Sequence, residues 1–216
     1  MSQKIILLGA GGHAVSCIDT LITSGFEVSG IVSPNPPISP VLKNYPHYTN
    51  YENRTVNEAR MFCLAIGHNY IRSKVAMEII SRFGESSLPP VCHPSAYISR
   101  SSRLQAGVVV MAKAVIGAYV EIGKGCLVNT SSSIDHECKI EDFSSLAPGA
   151  CTGGNVKLGT RSAICLGAKV VHNIKIGDDA VIGASSLVLQ DVCDCSVWYG
   201  IPARYIRDRR PSDAYM

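Results

Sequence analysis

One ten-residue stretch concentrates the groups that could do chemistry. Asn129-Thr130-Ser131-Ser132-Ser133-Ile134-Asp135-His136-Glu137-Cys138 sets a histidine between two carboxylates. An imidazole accepts a proton near pH 7, and a carboxylate on its other ring nitrogen fixes the tautomer and raises basicity. His136 with Glu137 therefore reads as a general base and its partner, although a surface histidine would give the same letters. A second concentration is Gly9-Ala10-Gly11-Gly12-His13-Ala14. It fits G-x-G-x-x-A between a strand-like and a helix-like run, the pattern of a turn that holds phosphate at a helix N-terminus. Plain tight turns share that pattern. His13 is either a ligand contact or a polar helix cap. Gly67-His68 end another strand, where α/β sheets bind ligands, or are exposed loop residues. Ser33 and Asn35 stand where an acidic residue would hold a ribose hydroxyl. That argues against a full NAD site and leaves room for one nucleoside diphosphate. Cys193-Asp194-Cys195 has no second Cys/His pair at zinc spacing, so no metal is expected.

These groups need a scaffold, and the second half of the chain supplies one by repetition. From Ile98 an aliphatic residue returns every sixth position through Ile116, Ile134, Ile164 and Val188, with Thr152 the one exception in sixteen. Four residues after each comes a small or short one, such as Ala114, Cys126, Cys138, Ser144 or Ala168. Neither helix nor strand period does this. Each hexapeptide is one short strand plus a corner, and three close a triangular coil whose successors stack about 4.8 Å apart. Gly117, Gly123, Gly159, Gly177 and Gly183 follow the aliphatic position and are expected at sharp corners needing positive φ. Cys126 and Cys138 then fill small core positions.

The first ninety residues alternate differently. Strands are expected over Lys4–Leu8, Phe26–Val32, Met61–Ile66 and Ser87–Val91. Helices are expected after Gly12, with Val15, Ile18, Leu21 and Ile22 inward, and over Tyr70–Arg82, with Ile71, Val75, Ile79 and Ile80 inward. That order implies a small parallel sheet.

Composition agrees with both scaffolds. The 216 residues are 46% hydrophobic, 17% charged and 6% aromatic, with net charge +3. Such values exclude a disordered chain, a coiled coil and a basic nucleic-acid tail. No apolar run reaches bilayer length, and nine scattered cysteines behind no signal sequence point to a reducing cytoplasm.

Taken together, GAGGHA, AIGHNYIR, HPSA, NTSSSIDHE, GNVKLG and YGIPAR resemble the hexapeptide-repeat sugar acetyltransferases of the bacillosamine, perosamine and sialic-acid group. The resemblance covers essentially the whole chain. It implies a Rossmann-like nucleotide-sugar-binding domain over 1–92 and a left-handed parallel β-helix over 93–216. It also implies a homotrimer, with acetyl-CoA lying along the β-helix between neighbours, and no part for nucleic acid or membrane. His136 matches the base, Glu137 its assistant, Asn129 an active-site asparagine, and Gly154 a glycine whose N–H would face the thioester oxygen. The nucleotide sugar falls to Gly11, Gly12, His13, Ser33, Asn35, Gly67, His68 and Arg72. Acetyl-CoA falls to Ser145, Gly154, Ala168, Lys169, Lys175, Gly183, Ala184, Pro202 and Arg204. Ser145 stands where some members carry a second histidine. The activity implied is N-acetylation of a nucleotide-linked 4-amino sugar, first UDP-4-amino-4,6-dideoxy-GlcNAc, giving UDP-N,N'-diacetylbacillosamine. The alternatives are a GDP-perosamine or dTDP-amino-sugar acceptor, a sialic-acid hydroxyl, and a noncatalytic nucleotide-sugar-sensing scaffold.

Overall fold

The computed structural model describes residues 3–215. The chain opens with β1 (Gln3–Leu8), α1 (Gly12–Thr23), β2 (Phe26–Val32), β3 (His47–Tyr48), α2 (Arg54–Asn57), β4 (Phe62–Leu64) and α3 (Asn69–Phe83). The four strands form one parallel sheet in the order β3-β2-β1-β4. β1 is central, so its run of four aliphatics is buried on both faces. Ile5 and Leu7 pack with Cys17, Ile18 and Leu21 of α1, whereas Ile6 and Leu8 pack with Ala76 and Ile79 of α3. The period of two thus sorts alternate side chains to opposite helices.

Four expectations change here. His47–Tyr48 is a short edge strand with no alternating pattern to announce it. Ser87–Val91 is not a strand of this sheet: Glu85–Ser87 form one 3-10 turn, and Val91–Cys92 pair with Val109–Val110 of the β-helix. The inward face of α3 is Asn69, Arg72, Ser73, Ala76 and Ile79, while Ile71 is exposed. On α1, Ile22 is likewise exposed.

From Val91 onward, two-residue strands build a three-sided prism. One face runs from Val91–Cys92 through Leu127–Val128 and Ser145–Leu146 to Val181–Ile182, capped by the antiparallel pair Ser196–Gly200 and Ala203–Asp208. A second runs from Tyr97–Ile98 through Ser133–Ile134 to Leu187–Val188, and a third from Arg103–Leu104 to Lys175–Ile176. Partners such as Leu127↔Ser145 and Ile134↔Thr152 lie one coil apart in register. The repeating aliphatics stack inside with the small residues between them. Thr152 fits because its hydroxyl meets the Cys138 sulfur at 3.6 Å. Burial raises the Cys126 thiol to about 12, so it is inert filling.

The corner chemistry differs from expectation. Positive φ recurs every sixth residue, just before the small position, and is adopted by Ser131, Glu137, Asn155 and Asn173 as well as by glycine. The glycines after the aliphatic position have another cause. A Cβ on Gly117 would come within 2.9 Å of the Asp135 carbonyl carbon, and one on Gly159 within 2.5 Å of the Gly177 backbone. Those positions need a missing side chain because the next coil passes over them.

The α/β unit docks on the first face, where Val91, Val109 and Leu127 join the α1-side core. The Ser24 hydroxyl donates to the Cys92 carbonyl at 2.9 Å. Arg72 reaches across from α3, with Nε donating to the Gly125 carbonyl at 2.7 Å and Nη2 to the Phe143 carbonyl at 2.8 Å.

Candidate active site

Two regions hold the candidate residues. The first is a cavity of about 820 Å³ at the carboxyl ends of β1, β2 and β4. Gly11, Gly12, His13, Ser33, Asn35, Gly67 and His68 all line it. α1 begins there with Gly11 as N-cap, no capping side chain and no acid in its first turn. Its unpaired N–H groups and dipole therefore favour an anion. A Cβ on Gly11 or Gly12 would meet nothing within 4 Å, so the space above the turn is open to a ligand. A Cβ on Gly9, in contrast, would sit 2.8 Å from the Ala65 carbonyl oxygen. That glycine lets the turn pass close to β4. The Ser33 hydroxyl donates to the Asn35 carbonyl at 2.5 Å and lies 3.1 Å from His47 Nε2, so it braces its own loop.

His13 lies against Cys17, with Nε2 3.3 Å from the sulfur. Burial, with the Arg72 charge adding to it, pulls its pKa down from 6.5 to about 4. Between those two values the unfolded chain binds a proton that the folded chain refuses. Stability should therefore rise with pH across that window. Urea titrations of the wild type and His13→Gln would test this: the variant should show a flatter slope, and identical slopes would refute it.

The cavity also corrects and extends the sequence reading. Arg72 does not line it. It is 1% exposed and bonded to backbone carbonyls and to Asn69 Oδ1. Tyr51, Glu78 and Arg82 do line it, with Ile71 and Val75. The Arg82 guanidinium lies 5.3 Å from the Tyr51 ring centroid and 3.2 Å from Glu78. Ile71 and Val75 look like core residues in sequence because a cavity wall and a core use the same helical spacing.

The second region is the prism edge between the second and third faces. His136 and Glu137 are exposed there, with His136 Nδ1 2.9 Å from Glu137 Oε2. The carboxylate accepts the Nδ1 proton and leaves Nε2 bare. Asp135 Oδ1 accepts the His136 backbone N–H at 2.8 Å. One coil later, Gly154 lies beneath the ring. A Cβ on Gly154 would be 2.5 Å from both Cε1 and Nε2. Among the described residues its own N–H has no acceptor. A bare imidazole nitrogen thus lies over a residue whose backbone donor is free, an arrangement that suits taking a proton beside an oxyanion.

A family profile for the PglD N-terminal domain matches residues 4–79. The GDP-perosamine N-acetyltransferase of Caulobacter crescentus, solved as a histidine-to-alanine variant with CoA and GDP-perosamine, is 29% identical with a TM-score of 0.86. That match covers 95% of this chain and 97% of the other. Over nearly its whole length the chain is similar to the hexapeptide-repeat sugar acetyltransferases. The acetyltransferase domain of PglB from Neisseria gonorrhoeae, solved with acetyl coenzyme A, gives 29% identity and a TM-score of 0.86 over 95% of this chain and 100% of its own. The prism is accordingly the left-handed parallel β-helix of this family. The serine acetyltransferase of Mycobacterium tuberculosis is 31% identical over 115 residues, 51% of this chain and 50% of its own length. The chain spans about half the length of the curated relatives it matches.

Within the family frame, the remaining candidates fall on separate edges. Asn129 stands at the corner between the first and second faces, as does Ala184; His136 and Gly154 stand at the next corner. Asn129 Oδ1 accepts its neighbour Thr130's N–H at 2.8 Å. Lys169 projects from the second face and Lys175 from the third, both exposed. Gly183 lies under the Tyr199 ring, where a Cβ would fall 1.7 Å from Cδ1. Pro202 and Arg204 lie at the exposed turn of the capping hairpin. Ala168 differs from these: its side chain is fully buried among the stacked aliphatics, which leaves only its backbone to meet a ligand. Ser145 lies on the first face, only 7% exposed. Among the described residues no His/Cys/Asp/Glu cluster suits a metal, and no helix is long and apolar enough to cross a membrane.

Proposed function

We propose that this protein acetylates the amine of a nucleotide-linked 4-amino sugar with acetyl-CoA. The observation that carries the reading is the stack of His136 over Gly154 with Glu137 on Nδ1. The sugar amine attacks the thioester carbonyl, forming a C–N bond. His136 Nε2 accepts the ammonium proton, and the Gly154 N–H faces the oxyanion. The C–S bond then breaks, and the proton passes from Nε2 to the departing CoA thiolate. No covalent enzyme intermediate is needed. The cavity at the α1 N-terminus holds the nucleoside diphosphate, and Lys169, Lys175 and Arg204 are the candidate cations for CoA phosphates.

The working assembly is a homotrimer in a reducing, cytoplasmic setting. The second face supports this reading. It exposes Tyr97 and Val115, whereas the third face presents Arg103, Glu121, Lys139, Lys157 and Lys175 to water. The residues at the two corners flanking the second face lie on different edges, so copies packed through it would bring Asn129 of one protomer toward His136 of another.

The test is incubation with acetyl-CoA and UDP-, GDP- and dTDP-linked 4-amino sugars, following thiol release. UDP-4-amino-4,6-dideoxy-GlcNAc is the first acceptor and GDP-perosamine the second. Turnover of one of them is expected. Turnover of a sialic-acid hydroxyl with none of any amine would overturn the reading.

A further inference from the structure

One wall of the nucleotide cavity is set by a residue far away in sequence. After Ala203–Asp208 the chain turns back over the first face, anchored by Arg209. That guanidinium is buried and donates to the carbonyls of Asp179 at 2.6 Å, Asp213 at 2.9 Å and Pro211 at 3.2 Å. The turn delivers Tyr215 to the start of α3. Its hydroxyl accepts the Asn69 N–H at 3.1 Å, and its ring lies 5.3 Å from the His68 ring, tilted by 44°. Arg209 covers the same ring at 5.4 Å, and the ring packs against Ala163, Val181 and Val197.

His68 lines the cavity beside the Gly11-Gly12 turn. Its Nδ1 is the one buried side-chain nitrogen or oxygen among the described residues with no hydrogen-bond partner. A proton on that nitrogen would be stranded, which is unfavourable in a dry place. The tautomer with its proton on Nε2 avoids this.

We propose that Tyr215 is a positioning residue for the acceptor substrate: it wedges the His68 ring so that Nε2–H faces the cavity and donates to an oxygen of a bound nucleoside diphosphate. This rests on the function proposed above. A donor fixed beside the glycine turn would add a charge-assisted hydrogen bond to those of the α1 N-terminus.

Calorimetric titration of the full chain with UDP, GDP and dTDP, and separately with CoA, tests it without turnover. Tyr215→Ala should weaken the nucleotide that the wild type binds by about tenfold, the worth of one hydrogen bond to a charged group. Tyr215→Phe, which keeps the ring, should stay within about threefold, and CoA affinity should be unchanged in both. His68→Ala should lose as much as Tyr215→Ala, and the double variant no more, since the two act through one contact. Equal nucleotide affinity in wild type and Tyr215→Ala would overturn the proposal. So would parallel loss of nucleotide and CoA, or additive losses in the double variant. Binding of no nucleoside diphosphate by the wild type would instead overturn the functional reading, and this proposal with it.

Discussion

Replacing His136 with alanine should lower kcat for acetyl transfer by about 10²- to 10⁴-fold, the usual share of a general base. Stability should hardly move, because the ring is exposed and belongs to no part of the stacked core. The acceptor KM should also hold, since the nucleotide cavity lies on another domain. Glu137→Gln keeps an acceptor on Nδ1 but removes the charge, so its loss should be smaller, about tenfold. Gly154→Ala approaches the same ring from below. The added methyl would lie 2.5 Å from Cε1 and Nε2, so the imidazole has to leave its place over Gly154. Its kcat should fall nearly as far as in His136→Ala, with folding intact by circular dichroism. Wild-type turnover in His136→Ala would show that His136 is not the base, whereas no turnover in the wild type on any acceptor would favour a scaffold that senses a nucleotide sugar.

What could be read from the sequence depended on the range of the interaction. The β-helix was legible because residue n stacks on residue n+18, so every coil states the same inward preference again. His136 was legible because its partner is the next residue. The turn at Gly9–Gly12 was legible because strand, turn and helix are contiguous. The corner glycines were misassigned because their constraint is the backbone one coil away rather than their own φ. His47–Tyr48 is too short to show a period. Tyr215 meets Asn69 across 146 positions, a pairing that depends on how the domains dock and leaves no local mark.

Arg72 is the sharpest case of that failure, and its replacement should give the largest loss of stability. In sequence it is a cation on a helix behind a glycine turn, which suits a phosphate ligand. In the structure its carbon stem and guanidinium are both enclosed, and burial depresses its pKa below the usual arginine value. Its donors reach the carbonyls of Ile66 and Gly67 at 2.9 Å, Gly125 at 2.7 Å and Phe143 at 2.8 Å, and Asn69 Oδ1 at 2.6 Å. Asn69 in turn donates to the carbonyls of Arg161 and Ser162 at 3.0 Å. One planar cation thus satisfies chain ends from the α/β unit and from two coils of the β-helix. Arg72→Met fills the volume but strands these carbonyls, and several unsatisfied acceptors together should cost about 4 kcal/mol or more. For a chain of this size that lowers Tm by about 8–16 °C. A lysine in its place is no remedy, because three donors on one nitrogen cannot span the fork, so Arg72→Lys should recover less than half of the loss. Since the bonds cross between the domains, calorimetry of Arg72→Met should also show the single unfolding transition splitting in two. A Tm within about 2 °C of wild type, no more than the shift for about 1 kcal/mol, would mean that water or neighbouring side chains replace the guanidinium. The α/β unit would then be held to the β-helix mainly by the apolar contact of Val91, Val109 and Leu127.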